Sequence, residues 1–333
     1  GRADLIAFGR QSIADPELPA KARTGNLETL APCIGCLLGC VPNMFAGRPI
    51  SCAVNPCVGR ESDLTPAAVS KNVVVVGGGP GGLYAAWICA LRGHQVTLLE
   101  KHPELGGNFR IAAYPTGKGQ ITEVIRSFIV KCEKAGVDLR CNVEADEALL
   151  TSLHPDAIIL ATGSNPLILP IPGLDTCGYI TAQDMLEGKA PMGQKVLVVG
   201  GGMVGCEAAE YLAERGHEAA VIEMKDVIAA DVTPENRRYM FANFEEHHVL
   251  LRPSAKVSQF YPDGVDYTLA DGTAGSLRGY DNVVLAMGSR SNAVLKETAE
   301  KVAPQVFVIG EAAKAPGNAV LATHDALEAA LQI

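Results

Sequence analysis

Two stretches of the chain share one pattern of apolar and small residues. Val73–Glu100 reads VVVVGGGPGGLYAAWICALRGHQVTLLE, Val196–Glu223 reads VLVVGGGMVGCEAAEYLAERGHEAAVIE, and half of the aligned positions are identical. Each opens on an uninterrupted apolar run that ends in glycines, the mark of a strand buried on both faces of a parallel sheet. A helix with small residues on one side follows, then a helix-ending glycine and a second apolar run that stops at a glutamate. The repeat therefore predicts two βαβ units. Ala157–Gly163 (AIILATG) and Asn282–Gly288 (NVVLAMG) predict the strands that close each unit, and proline-rich Pro166–Pro172 predicts a crossing linker. Val306–Gly310 (VFVIG) predicts a strand, with a helix from about Val320. The expected fold class is α/β, with the second unit inserted in the first.

Composition narrows the classes of function. With 333 residues, 48% apolar and 20% charged, the chain has room for two or three domains. A net charge of −9, without a basic cluster or aromatics spaced to stack bases, argues against nucleic acid as a partner. The apolar runs are too short to span a membrane. Ten cysteines without a secretory leader favour a reducing, cytoplasmic setting in which thiols serve as metal ligands or small core residues. The first methionine is Met44 and the chain stops inside the predicted helix Leu321–Leu331, so a longer parent polypeptide is expected. Association into a homo-oligomer stays open.

In both units the strand-to-helix turn has the spacing Gly-x-Gly-x-x-Gly. These glycines are Gly77, Gly79 and Gly82 in the first unit, with Pro80 and Gly81 completing the turn, and Gly200, Gly202 and Gly205 in the second. The first glycine permits a tight turn, the second lets backbone approach a pyrophosphate at the helix N-terminus, and the third lets helix pack on strand. Glu100 and Glu223 end the second strands, where a carboxylate accepts from an adenosine ribose. Two dinucleotide sites are expected. A carboxylate at Glu223 repels a ribose 2′-phosphate and points to NADH, with NADPH the alternative if Lys225 offsets it.

Cysteines carry the remaining chemistry. Cys33-x-x-Cys36-x-x-x-Cys40, with Cys52 after eleven intervening residues, presents four thiols from an irregular loop. A [4Fe-4S] cubane takes four thiolates; zinc also takes four, though usually as two close pairs, and unligated thiols are the third reading. Cys57, Cys89, Cys132, Cys141, Cys177 and Cys206 lack ligand spacing and read as buried or incidental. No second close pair lies in the first unit, so disulfide-reductase chemistry has no thiols to use. His94 and His217 occupy equivalent repeat positions and read as packing or surface residues, while His324 stands alone near the start of the last helix. No catalytic acid or base is assigned.

Over Lys71–Ile333, two nested units joined by ATG-type strands resemble the two-dinucleotide flavoprotein reductases. The resemblance implies nested Rossmann-like domains, with FAD on the first and NAD(P)H on the second. It places Gly77, Gly79, Pro80, Gly81 and Gly82 at the FAD pyrophosphate, Glu100 at the ribose and Gly106-Gly107 along the flavin, and it counts Lys101 and Gly163 among the contacts. Gly200, Gly202, Gly205 and Glu223 take the matching roles for the nicotinamide dinucleotide. Where such reductases carry Gly-Asp against the ribityl chain, this chain has Gly310-Glu311.

The opening GRADLIAFGRQSIADPELPAKARTG and the segment PCIGCLLGC extend the likeness to the whole chain. They resemble the last strand and helix of the flavin-binding TIM barrel of the old yellow enzyme class and the cluster segment that follows it. The same arrangement occurs in the 2,4-dienoyl-CoA reductase, enoate reductase and trimethylamine dehydrogenase family. That family implies an FMN phosphate on the backbone of Gly9-Arg10 and a [4Fe-4S] cluster on Cys33, Cys36, Cys40 and Cys52. It implies residues 1–30 as the barrel end, 31–70 as the iron–sulfur segment, 71–185 with 291–333 as the FAD domain and 186–290 as the NAD(P)H domain. The expected enzyme is an electron-input module. Hydride passes from NAD(P)H to FAD, and electrons pass through the cluster to FMN in an N-terminal barrel of the same polypeptide that reduces an activated C=C bond. The alternatives are amine-dehydrogenase-like flow in the other direction and an electron-transfer subunit feeding a partner protein.

Overall fold

A computed structural model of the chain describes residues 3–333, which divide into two compact units. One comprises the residues up to Ala113, Lys118–Ser164 and Ser291–Ile333; the other comprises Tyr114–Gly117 and Asn165–Arg290. Each is built on its own five-stranded sheet.

In the first unit the strands lie in the order Gln305–Val308, Ala157–Leu160, Asn72–Val76, Gln95–Leu99, Asp138–Arg140, all parallel. Val73 to Val76 are almost wholly buried, which explains why this strand reads as an unbroken apolar run and not as an alternation. The helix Pro80–Leu91 packs on the sheet through small residues and sets Tyr84 edge-on to Phe128 of the helix Gln120–Lys134, ring centroids 5.6 Å apart. The strand Gln305–Val308 returns beside Ala157–Leu160, so the end of the chain rejoins the first sheet as the nested reading requires.

Before this sheet, Asp4–Gly9 forms no strand, although the resemblance implies one there. A strand is stabilised by bonds to neighbours, and none lies beside these residues among those described. Leu5 is 92% exposed and Ile6 70%. The helix that follows comes as two pieces, Arg10–Ala14 and Leu18–Thr24. Asp15 precedes Pro16, whose ring disfavours the helical conformation there, and it is extended at φ −148°, ψ 93°. Its buried carboxylate accepts from Lys21 Nζ at 2.7 Å and from the Ala31 amide at 3.1 Å.

The second unit repeats the plan. Its parallel sheet runs Ile180–Thr181, Asn282–Leu285, Lys195–Val199, Glu218–Ile222, Leu250–Arg252. An antiparallel meander of Ala255–Tyr261, Gly264–Leu269 and Ala274–Leu277 contributes Phe260, Val265 and Tyr267 to the same core as Leu197 and Leu285. Among the described residues, no helix is long and apolar enough to cross a membrane.

Candidate functional site: two glycine turns and a cysteine pocket

The first glycine turn is built by close approach. Gly77 sits at φ +107°, and a Cβ on Gly82 would lie 1.9 Å from the Gly77 carbonyl oxygen, so only glycine lets the helix start this near the strand. Gly79 is different. It caps Pro80–Leu91 without any side-chain cap, and the space its Cβ would enter is open to 4 Å. An uncapped helix N-terminus facing open space fits a pyrophosphate. Pro80, at the first helical position, has no amide to donate.

Behind the turn, the nearly buried Glu100 accepts from the Gly78 amide at 2.7 Å and the His102 amide at 2.8 Å. Each carboxylate oxygen keeps a lone pair for a ribose hydroxyl. Gly106 donates its amide to the Gly78 carbonyl at 2.8 Å, and Gly107 lies against Gly79, which brings the Gly-Gly pair to the same turn. Gly163, at φ +65°, accepts from the Asn292 amide at 3.0 Å. Lys101 is exposed. Glu311 is held by the Ser164 hydroxyl at 2.8 Å and the Gly317 amide at 2.9 Å, while Asp325 accepts from the Gly310 amide at 2.9 Å. Sequence reading missed Ser164, Gly317 and Asp325, whose roles depend on contacts that carry no local pattern.

The second turn copies the first nearly atom for atom. A Cβ on Gly205 would lie 1.9 Å from the Gly200 carbonyl oxygen, and Glu223 accepts from the Gly201 amide at 2.6 Å and the Lys225 amide at 2.8 Å. Ala229 donates to the Gly201 carbonyl at 2.7 Å, as Gly106 does to Gly78. The copies differ at the helix start. Asp231 Oδ1 accepts from the Met203 amide at 2.8 Å, and a Cβ on Gly202 would point at its carboxylate, 3.4 Å from Oδ2.

Cys33, Cys36, Cys40 and Cys52 line one cavity together with Arg10, Ile13 and Val54. All four are half-buried thiols outside any disulfide. Burial pushes the Cys36 and Cys52 thiols up, and the neighbouring cysteines add to the rise, as expected for sulfurs sharing a pocket. Cys52, distant in sequence, is brought in by Gly39: it accepts from the Ser51 amide at 3.0 Å, pairing the residues just before Cys40 and Cys52. The Val54 amide donates to Cys52 Sγ at 3.4 Å.

Two neighbours hold the pocket from outside. The Gln11 carboxamide donates to the Ala31 carbonyl at 3.2 Å and accepts from the Cys33 amide at 2.8 Å. On the other side the last helix, Ala319–Gln332, touches both sites within three residues. The Ala322 carbonyl abuts Gly81, the buried Thr323 hydroxyl donates to the Ala53 carbonyl at 3.0 Å, and His324 hydrogen-bonds to the Cys52 backbone. Burial lowers the His324 pKa by disfavouring the charged ring. His94 and His217 bond to backbone, at Lys71 N and Gly193 O, in agreement with their reading as packing residues. Four thiols in one pocket form a donor set that fits a cluster.

Comparison with known proteins agrees with this geometry. The family model described as pyridine nucleotide-disulphide oxidoreductase matches residues 71–326. The chain is 40% identical to an NADH oxidase of Thermoanaerobacter brockii, over 100% of this chain and 52% of that protein. It is 33% identical to a cinnamate reductase of Clostridium sporogenes, over 100% and 50%. A solved 2-naphthoyl-CoA reductase in complex with 2-naphthoyl-CoA superposes with a TM-score of 0.95 at 32% identity, covering all of this chain and 51% of that one. The chain thus spans about half the length of these relatives. It belongs to the pyridine nucleotide-disulphide oxidoreductase family.

Proposed function

We propose that this chain is the electron-input module of a larger flavoenzyme. It takes reducing equivalents from NAD(P)H on the second unit to FAD on the first. From there they pass to the four-cysteine centre and on to an FMN barrel elsewhere in the polypeptide. The observation that carries this reading is one glycine-turn-and-glutamate geometry built twice, in a chain that also gathers four thiols in one cavity. When bound, FAD supplies the change from two-electron to one-electron transfer, and a [4Fe-4S] cluster supplies the relay.

The residues of the chain bind and orient. Gly79 and the first turn of Pro80–Leu91 would receive the FAD pyrophosphate, with Glu100 accepting from the ribose. Cys33, Cys36, Cys40 and Cys52 would ligate the cluster, and the Val54 amide beside Cys52 Sγ would stabilise its more negative state. A single zinc ion with bonds of about 2.3 Å draws its thiolates together. Structural zinc sites usually present two close cysteine pairs, whereas Cys33, Cys36 and Cys40 cluster with Cys52 distant in sequence, a spacing that favours a cubane. Gly9 and Arg10 would meet the FMN phosphate of the barrel. The cinnamate reductase and 2-naphthoyl-CoA reductase it resembles support an unsaturated carbon conjugated to a carboxyl or thioester as substrate class.

Reconstituted anaerobically with FAD, iron and sulfide, the chain is expected to hold one FAD and about four iron, and to oxidise NADH with ferricyanide but reduce no enone. Zinc in place of iron, or a flavin that NADH leaves unreduced, would overturn the reading. NADH is expected to bind more tightly than NADPH, and Glu223→Ala to narrow the gap by removing both a ribose acceptor and a repulsion. Equal use of the two by the unaltered protein would refute that preference.

A further inference from the structure

The two glycine turns share every hydrogen bond described above except one. In the first, the space before the helix N-terminus is open at Gly79, and the first helical residue is Pro80, which has no amide. In the second, that space faces the carboxylate of Asp231, and the amide of the first helical residue, Met203, already has Asp231 as its acceptor. A carboxylate there uses the donor and the positive end of the helix dipole that a phosphate would use.

Asp231 is not placed there by a wandering loop. Two residues earlier, Ala229 is fully buried, lies at φ +55° and donates its amide to the Gly201 carbonyl. A non-glycine residue in the left-handed region is costly and persists where its surroundings hold it. The loop is thus hooked beneath the glycine turn, and the carboxylate is delivered to the mouth of the cradle. Asp231 itself is exposed, so its side chain is able to rotate into solvent.

From this geometry we infer that Asp231 is a built-in competitor for the pyrophosphate of the nicotinamide dinucleotide. It caps the Met203 amide in the absence of dinucleotide and has to swing out before the phosphates enter, which weakens binding. The inference rests on the reading of Gly200–Gly205 as the dinucleotide cradle.

Calorimetric titration of the flavin-loaded, full-length polypeptide with NAD+, which binds without reducing the flavin, tests it. Asp231→Asn is expected to lower the Kd for NAD+ about fivefold, equivalent to ~1 kcal/mol. Asp226→Asn removes the same charge from the same exposed loop without touching the Met203 amide, and is expected to leave the Kd within about twofold. An unchanged or higher Kd in Asp231→Asn, with normal binding by the unaltered protein, would overturn the competitor and leave the cradle reading standing. Equal tightening by both variants would reduce the effect to bulk charge and also overturn it. No binding by any of the three proteins would remove the cradle reading and the competitor together.

Discussion

A Cβ at Gly82 would collide with the Gly77 carbonyl, whereas one at Gly79 would meet no protein atom. Gly82→Ala is therefore expected to cost stability directly, by about 1–3 kcal/mol as overpacking does, and to lose FAD as a consequence. Gly79→Ala should keep the melting temperature of the cofactor-free protein and still bind FAD poorly, because its methyl enters space reserved for the ligand. Equal melting losses in the two variants would refute this division. At this scale the sequence was informative where chemistry follows spacing. Gly77, Gly79, Gly82 and Glu100 are one motif, and the structure brings them together as that motif demands. Asp231 was illegible because its meaning depends on where a loop returns, and nothing in AADVTP announces that its carboxylate will face Gly202.

Elements were legible where an apolar run reached four residues and less so elsewhere. Asn72–Val76 and Lys195–Val199 were readable because burial on both faces forces unbroken apolar sequence. The opening helix broke in two because the residue before Pro16 is steered out of helix. The grip of Arg10–Ala14 on the cysteine segment was invisible, since Gln11 bridges two backbone groups twenty and more residues away. Such outer partners orient ligands, so Gln11→Leu is expected to speed iron loss from the loaded protein roughly tenfold. Iron retention equal to that of the unaltered protein would show that Cys33 needs no support. Thr323→Val leaves the Ala53 carbonyl buried and unpaired, and should lower unfolding stability by about 1–3 kcal/mol in a urea titration.

Taken together, the nested plan was readable from the repeat, because a duplicated unit announces itself, and the return of the chain followed from one strand, Gln305–Val308. The whole molecule also carries a pH dependence. Burial holds the thiols of Cys89, Cys132 and Cys206 up to about 12, from 9.0. The folded chain keeps these protons where the unfolded chain releases them. Their contribution is thus intact below about pH 9 and is lost as the pH rises toward about 12. The urea midpoint should fall over that window, and Cys132→Ala should lessen the fall; a flat midpoint would contradict it.

One turn of the final helix touches the first glycine turn through Ala322 and the cysteine pocket through Thr323 and His324. Neighbouring helical residues advance only about 1.5 Å, so neither site loosens without disturbing the backbone that serves the other. The two should open as a single cooperative segment in hydrogen–deuterium exchange. Stripping the metal would then quicken exchange not only around Cys52 but also at the amides that begin Pro80–Leu91. Flavin retention would become a reporter of damage to the cysteine pocket, with no direct contact between the two groups.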